Sequence, residues 1–544
     1  MKHIKKIIIL LVLFAGVFTS CKKQLDVKNP NSPTPPSALT DLGIIQLAQG
    51  SVYVTGFHGL KYGGFYGNFW NDPNAYNELM GDVIGVEAAN QYINQLSTPD
   101  KVTYGDGSVQ LNPQSPPTQV ALIRIINTNA NASNNPLYYM WAYSYQLNKA
   151  MNNLLIIVNN AAVTGDTASK RNTIRAWAYF WKGFAYSNLG SQYYAAIIDN
   201  TGGQTTNGDY LTHDKIIAEA NANFDKSAAA ASAAAPAVFA SELGQIIPNI
   251  CQVGNGGVLD ATMWQHNCNT MKARNILENP STGTPDWATI ASLTAAGTGI
   301  SAGDKEFVAY SNPTGDIYGA NGGNIASLAT TTNPGYWVTE RFIQEFDTVN
   351  DLRFKNNFLP LPSFYPGDFT RGTIVGTRYY MVPEGNGLSS NGTATVVYGS
   401  ITPGAYELKI AAFYEENLIM QAEAQANLGN NDAALKIIDQ LHDMQGSGLA
   451  HLAGTTPALP VLEIVRRERR IQMAFSGMSF YDARRWGVLA NGRSNAVAID
   501  ANGKLWTNAL INYNYMDYWD VPGNETAYNP AAAGSAAVLN PKYP

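Results

Sequence analysis

Apolar residues recur every three to four positions along several stretches of the chain, which is the spacing of amphipathic helices. One such stretch contains Ala176, Phe180 and Phe184 at steps of four residues. The pattern predicts four helices in the first half of the chain, over residues 39–54, 138–162, 168–189 and 214–235. Neighbouring helices with small residues at their contacts are typical of tetratricopeptide-like pairs.

The clearest helix pair is predicted over residues 413–444, with a turn at 430–432. Ala422, Ala426 and Ala433 fall where two helices must approach closely, and Asp432 is suited to cap the second helix. No strict period joins this pair to the others. We therefore expect a mainly α fold with little strand, in which degenerate tetratricopeptide-like helix pairs form a scaffold.

Helical periodicity fades between residues 251 and 404, where Gly, Pro, Asn and Thr dominate. A stretch of this length without regular structure is unusual in a compact domain unless it carries function. We therefore expect one domain over 39–544. Its helical scaffold would cover 39–250 and 405–490, with a loop-rich ligand-binding insertion over 251–404 and a closing segment over 491–544.

Residues 461–487, VLEIVRRERRIQMAFSGMSFYDARRWG, contain the densest charge cluster in the chain. Its apolar positions predict a helix with one buried face, which Gly477 would end. Arginine side chains pair with carboxylates in a two-point geometry, so we expect a structural clamp rather than a catalytic site. Its members are predicted to be Glu468, Arg469, Asp482, Arg484 and Arg485. A nucleic-acid patch is disfavoured, because acids interleave the arginines and the formal net charge is −6.

The first twenty residues have the pattern of a secretion signal, with three lysines followed by the apolar stretch 7–18. That stretch is too short to span a bilayer comfortably. Small residues precede Cys21 as in a loose bacterial lipobox, so we expect cleavage before Cys21 and a lipid such as palmitate on this residue. The proline-broken segment 21–38 would then be an extended tether. The alternative is an ordinary signal peptide followed by an unmodified cysteine.

Recognisable catalytic chemistry is absent from the sequence, which lacks a zinc-protease motif, a phosphate-binding loop and a dinucleotide fingerprint. Cys251, His266 and Cys268 lack the spacing of a metal site, so neither a metal nor a cofactor is expected. In an exported protein Cys251 and Cys268 could instead form a disulfide or remain thiols. Aromatic residues are abundant, with 30 Tyr and 10 Trp, and such rings suit surfaces that are partly apolar and partly wet.

The pattern RRERRxxxxFxGxxFYDxRRWG, over residues 466–487, resembles the C-terminal signature of the SusD/RagB family of outer-membrane nutrient-binding lipoproteins. LDVKNPNSPT near the start and WDVPGNETAYNP near the end are also similar to family patterns. Family members more often carry Glu where this chain has Ser476.

This resemblance implies a non-catalytic, lipid-anchored protein of the outer membrane that faces the exterior. It would capture glycans and pass them to a SusC-like TonB-dependent transporter. The residues expected to bind ligand lie in loop regions where the family places its site: Tyr66, Trp70, Trp264, Trp287 and Tyr310. A peptide ligand, a secreted polysaccharide hydrolase and a purely structural tetratricopeptide adaptor are the alternatives.

Overall fold

Helices dominate the part of the chain that the structure describes. The computed structural model covers residues 38–53, 73–87, 92–202, 207–252, 254–280, 283–310, 336–365, 376–382, 384–390, 393–399 and 407–544. The helices are α1 Asp41–Tyr53, α2 Ala75–Met80, α3 Ile93–Ser97, α4 Gln119–Ile126, α5 Leu137–Asn160, α6 Thr167–Gln192, α7 His213–Ser232, α8 Pro236–Ile246, α9 Ala261–Glu278, α10 Trp287–Leu293, α11 Glu340–Ile343, α12 Leu352–Asn357, α13 Tyr414–Asn427, α14 Asn431–Met444, α15 Val461–Gln472, α16 Ser479–Arg485, α17 Val488–Asn491 and α18 Gly523–Thr526.

Strands are short and form small sheets. They are β1 Ile84–Val86, β2 Lys101–Thr103, β3 Val109–Leu111, β4 Ala195–Ala196, β5 Leu211–Thr212, β6 Val308–Tyr310, β7 Tyr336–Val338, β8 Phe358–Tyr365, β9 Thr377–Met381, β10 Ser389–Ser390, β11 Thr393–Ala394, β12 Glu407–Lys409, β13 Arg493–Ile499 and β14 Leu505–Asn512. The largest described sheet has four antiparallel strands in the order β13–β14–β2–β3. The C-terminal hairpin therefore completes a sheet begun near the N-terminus. The prediction of a mainly α fold with little strand is confirmed.

Helices α5, α6 and α7 pack in sequence as the long first part of the scaffold. Asp166 caps α6 by accepting the Ser169 N–H at 3.1 Å. A Cβ atom at Gly183 of α6 would lie only 2.8 Å from the Phe224 ring of α7. Because no larger residue fits there, this glycine permits the close helix approach that the sequence pattern indicated.

Helices α13, α14 and α15 enclose a second apolar cluster, which includes Ile419, Ile438 and Val465. The helix pair predicted over 413–444 is present, but Asp432 does not cap α14. The helix begins at Asn431, and the Asp432 carboxylate instead accepts the Gly454 N–H at 2.8 Å. Asp432 thus holds the connection to α15 against the first turn of α14.

The prediction of fading helical structure after residue 251 is wrong for α9. This 18-residue helix is capped by Asp260 and packs against α7. Many of its buried side chains are polar, among them Asn267, Thr270 and Asn275. Because these residues replace the usual apolar stripe, periodicity of hydrophobic residues could not reveal the helix.

The core beneath α6 is a cluster of aromatic rings that includes Trp264 of α9. Its indole ring lies 5.4 Å from the centroids of both the Phe180 and the Phe307 rings, edge-on to each. Its Nε1–H donates to Ser227 Oγ at 2.8 Å. Edge-to-face packing and a satisfied N–H make this a stable interior position. No helix within the described residues is long and apolar enough to cross a membrane.

Replacing Trp264 by Ala should lower the free energy of unfolding by about 3–5 kcal/mol, because it removes a fully buried ring and leaves a cavity. Trp287→Ala provides the matched control, since Trp287 is only partly buried at the start of α10. Chemical denaturation of both variants measures the difference. Equal losses of stability would contradict the different burial of the two rings.

Candidate functional site

Of the five aromatic residues predicted to bind ligand, Trp264 and Trp287 lie in different apolar clusters. Tyr66 and Trp70 lie outside the described residues. Trp264 is 0% exposed, so its assignment as a ligand-binding ring is wrong. Trp287 packs partly buried against the cluster formed by α9, α10 and α13. Tyr310 ends strand β6, where its backbone lies opposite Glu407 of β12.

Cys251 and Cys268 do not form the disulfide that the sequence allowed. Both are reduced thiols in the hydrophobic core. Burial raises the pKa of the Cys268 thiol to about 12, so it stays protonated and unreactive at neutral pH. Cys21 lies outside the described residues.

Glu468 of α15 is the centre of a buried charge network. Its carboxylate accepts from Arg353 Nη1 at 2.6 Å and from Gln472 Nε2 at 2.6 Å, and it lies 3.1 Å from His442 Nε2. Arg353 also contacts Asp351 at 2.8 Å. Burial opposes the charge on Glu468, but Arg353 and His442 outweigh it and hold the pKa well below its usual range.

The other members of the predicted clamp join α15 to α16. Asp482 accepts from Arg469 Nε at 2.8 Å and from Arg485 Nε at 2.7 Å, while Arg485 also reaches Glu423 of α13 at 2.5 Å. Burial opposes the charge on Asp482, and the two guanidinium groups lower its pKa. Asp482 therefore stabilises two arginines at once.

Arg484 differs from the rest of the predicted clamp, because its described partners are not carboxylates. It donates to the backbone carbonyls of Ser191 at 2.7 Å and Asp517 at 3.0 Å. Its guanidinium carbon lies 3.9 Å from the centroid of the Tyr518 ring. A planar guanidinium suits both roles, so Arg484 connects α6 to the C-terminal segment by hydrogen bonds and stacking.

Glu78 of α2 holds the loop between α15 and α16, a role that the sequence did not reveal. Its carboxylate accepts the N–H groups of Phe475 at 2.9 Å and Gly477 at 2.8 Å, and the Ser479 hydroxyl at 2.8 Å. Helix α15 ends at Gln472, so the prediction that Gly477 ends it is wrong. The glycine, with φ of +83°, instead turns the loop around the carboxylate.

The loop held by Glu78 forms one wall of a cleft of about 380 Å³. The volume lies in the range of small-molecule sites, and the lining combines aromatic rings with polar groups as such sites do. The residues that enclose this cleft are Asn255, Glu384, Val396, Val397, Tyr398, Glu407, Leu408, Lys409, Phe413, Glu415, Gln445, Gln472, Ala474, Phe475 and Ser476.

Two lining residues of the cleft have left-handed backbones without being glycine. Glu384 has φ of +63° and Phe475 has φ of +66°. Such conformations cost of order 1–3 kcal/mol and persist where neighbouring contacts enforce them, often at functional sites. For Phe475 the enforcing contact is the hydrogen bond from its N–H to Glu78.

Carboxylates outnumber ammonium groups around the cleft. Lys409 contacts Glu306 at 2.8 Å and Glu407 at 3.2 Å. Burial opposes the charge on Lys409, but Glu306, Glu415 and Glu407 outweigh it and raise the pKa of the amine. Burial also raises the pKa of Glu306. Glu415 Oε2 is buried and accepts no hydrogen bond among the described residues.

A second cavity, of about 780 Å³, lies above the Glu468 network. Several of its charged lining residues are already paired, since Arg353 binds Asp351 and Glu468, and Arg467 binds Glu463 at 2.8 Å. The cleft is therefore the better candidate for ligand binding. No group of three or more metal-ligating side chains is placed to hold a metal ion in the described ranges.

A family model matches the C-terminal part of the chain, and solved structures share its fold. Residues 414–537 match the model of the SusD family. This region contains α13 to α16 and most of the charge network. No protein of curated function matches the chain by sequence.

Solved structures resemble most of the chain. A SusD-like carbohydrate binding protein from Bacteroides vulgatus ATCC 8482 is 14% identical, with 92% of this chain and 98% of that chain covered and a TM-score of 0.51. A SusD-like carbohydrate binding protein from Bacteroides fragilis NCTC 9343 is 17% identical, with 85% and 99% covered and a TM-score of 0.50. A SusD superfamily protein from Bacteroides fragilis is 13% identical, with 93% and 100% covered and a TM-score of 0.50. These likenesses show a shared fold.

Glu468→Gln should destabilise the protein by about 3–5 kcal/mol, because Arg353 and His442 lose the charge of a buried partner. Glu463→Gln is the control, since that partly exposed carboxylate should contribute about 1 kcal/mol or less. Denaturation measured from about pH 7 to about pH 3 tests the cause.

Because the pKa of Glu468 is lowered on folding, its contribution is present above its ordinary value of 4.5 and is lost as the pH falls. The difference between wild type and Glu468→Gln should therefore shrink below pH 4.5. A difference that stays constant with pH would show that lost packing, rather than lost charge, destabilises the variant.

Proposed function

We propose that this chain, which belongs to the SusD/RagB family, is a non-catalytic binding protein that captures glycans at the cell surface. The observation that supports this most directly is the family match over the charge network, together with the fold shared with two SusD-like carbohydrate binding proteins. A fold can host several functions, so the site itself must also suit the ligand.

The chemistry of the cleft suits a sugar. Phe413, Tyr398 and Phe475 line it with aromatic rings that are less than a tenth exposed, and Asn255 and Ser476 offer groups that can exchange hydrogen bonds with hydroxyls. Tyr310 joins this proposal because its strand partner Glu407 lines the cleft. Trp287, Tyr66 and Trp70 remain proposed ligand residues on the sequence pattern alone.

The cellular arrangement that we propose follows the family and the N-terminal sequence. A lipid on Cys21 would anchor the protein in the outer membrane, and the segment 21–38 would tether the folded part on the exterior. The bound glycan would then pass to a SusC-like TonB-dependent transporter. The pattern of lysines, apolar residues and small residues before Cys21 supports the anchor.

Val397→Trp should reduce affinity for the bound oligosaccharide by about tenfold or more, equal to about 1.4 kcal/mol, because the larger side chain obstructs the cleft. Val349→Trp is the matched control, since Val349 is also exposed and does not line the cleft. Isothermal titration calorimetry against neutral oligosaccharides, acidic oligosaccharides and peptides measures both.

Unchanged affinity in Val397→Trp would show that the ligand does not bind in the cleft. Trp287, Tyr66 and Trp70 would then be the next residues to test. Binding confined to peptides would contradict a glycan ligand. Product analysis after incubation with each oligosaccharide tests for turnover, and cleavage by the wild type would favour a hydrolase.

Cys21→Ala should release the protein from the membrane fraction, because the thiol that would carry the lipid is gone. Membrane fractionation of cells that express the wild type and the variant provides the measurement. Cys251→Ala controls for the loss of a thiol elsewhere in the chain. A Cys21 variant that stays in the membrane fraction would refute the proposed anchor.

A further inference from the structure

Residues 448–454, GLAHLAG, form part of the wall of the second cavity. Leu449, Ala450 and Leu452 of this segment line the cavity together with Phe346 and Ile471. Each residue of the segment is exposed or partly exposed, and none is buried. A segment with so little buried surface can open locally at a free energy well below that of global unfolding.

Asp439 of α14 is the buried attachment of this segment. Its carboxylate accepts the N–H of Leu452 at 2.7 Å on one oxygen and the N–H of Ala453 at 2.9 Å on the other. Asp439 is only 6% exposed, and hydrogen bonds to a charged group that is shielded from water are stronger than exposed ones. These two hydrogen bonds therefore hold the segment against α14.

The other attachments to α14 are exposed. The Asp432 carboxylate, which accepts the Gly454 N–H at 2.8 Å, is 56% exposed. His451 lies 3.0 Å from Asp443, and both of these side chains are at least 60% exposed. Exposed pairs of this kind contribute little to stability. Among the described residues, the remaining hydrogen bonds of the segment are local and go to the residue on either side of it.

Glycine residues at both ends allow the segment to move as a unit. Gly448 has φ of +69° and Gly454 has φ of +73°. Glycine adopts left-handed and right-handed conformations with similar ease, and hinges are a few residues that absorb such changes in φ and ψ. Rotation at these two positions can displace the segment while α14 and α15 stay in place.

We propose that residues 448–454 are a lid over the second cavity, which opens about Gly448 and Gly454 when the two hydrogen bonds to Asp439 break. The open lid gives small uncharged molecules access to the cavity wall at Ile471, which is 2% exposed when the lid is closed. The volume of about 780 Å³ is within the range of small-molecule sites. The proposal does not depend on glycan binding in the cleft.

Hydrogen exchange of the wild type tests the opening without any substitution. The amides of Leu452 and Ala453 should exchange together, at least about a hundredfold faster than the buried amides of α14 and α15, because the lid opens without unfolding the helices. Low concentrations of denaturant should leave their exchange rate unchanged. Exchange of both amides only at the rate of the two helices would overturn the lid.

Ile471→Cys measures access to the cavity through its reaction with N-ethylmaleimide, a small uncharged thiol reagent. Adding Asp439→Ala should speed this labelling about tenfold, because opening no longer breaks two hydrogen bonds to a buried carboxylate. Asp443→Ala is the matched control, since it removes an exposed carboxylate one turn further along α14 and should leave the rate nearly unchanged. Cys268, 1% exposed in the core, reports global unfolding in the same sample.

Peptide mapping by mass spectrometry assigns the label to each cysteine. Labelling of Ile471→Cys no faster than that of Cys268 would overturn access through the lid. Equal labelling rates in the presence of Asp439→Ala and Asp443→Ala would overturn the role of Asp439. Rapid labelling of Cys268 would reveal an unfolded variant, and Asp439→Asn, which keeps one acceptor oxygen, then replaces Asp439→Ala.

Discussion

The structure depends on the neutralisation of arginine side chains that α15 carries into the interior. Arg469 binds Asp482, and Arg470 binds Glu345 at 2.9 Å while also donating to the backbone at the end of α2. An unpaired charge in such an environment is strongly destabilising. Since the partners come from distant parts of the chain, α15 can be buried only when those parts assemble around it.

Buried backbone N–H groups also need a partner from a distant part of the chain, and Glu78 is that partner. Three N–H groups after α15 converge on its carboxylate, and the loop must adopt left-handed conformations at Phe475 and Gly477 to bring them there. Gly477 meets this need without strain. Phe475 does not, so the contact with Glu78 sets the position of a ring that lines the cleft.

Local patterns predicted the elements whose stability is mainly local. The amphipathic helices α5, α6, α13 and α14 were visible because their apolar residues follow a helical period. Helix α9 was missed because its interior face is largely polar. The exposure of Trp264 was misjudged for the same reason, since its loop-like surroundings in sequence belong to a buried helix. Glu78 could not be identified, because its partners lie about 400 residues away in sequence.

Residues 466–487, which resemble the family signature, therefore determine the fold more directly than they determine the choice of ligand. Apart from Arg484, the arginines and acids of this segment are used in internal pairs, and its contribution to the cleft is limited to residues such as Gln472, Phe475 and Ser476. Two charged residues of the cleft lining, Lys409 and Glu415, precede it in sequence. A chain can keep the same internal charge pairs while these two positions change, because the pairs do not depend on them. Ligand preference can thus vary within one fold, and it has to be derived from the lining of the cleft.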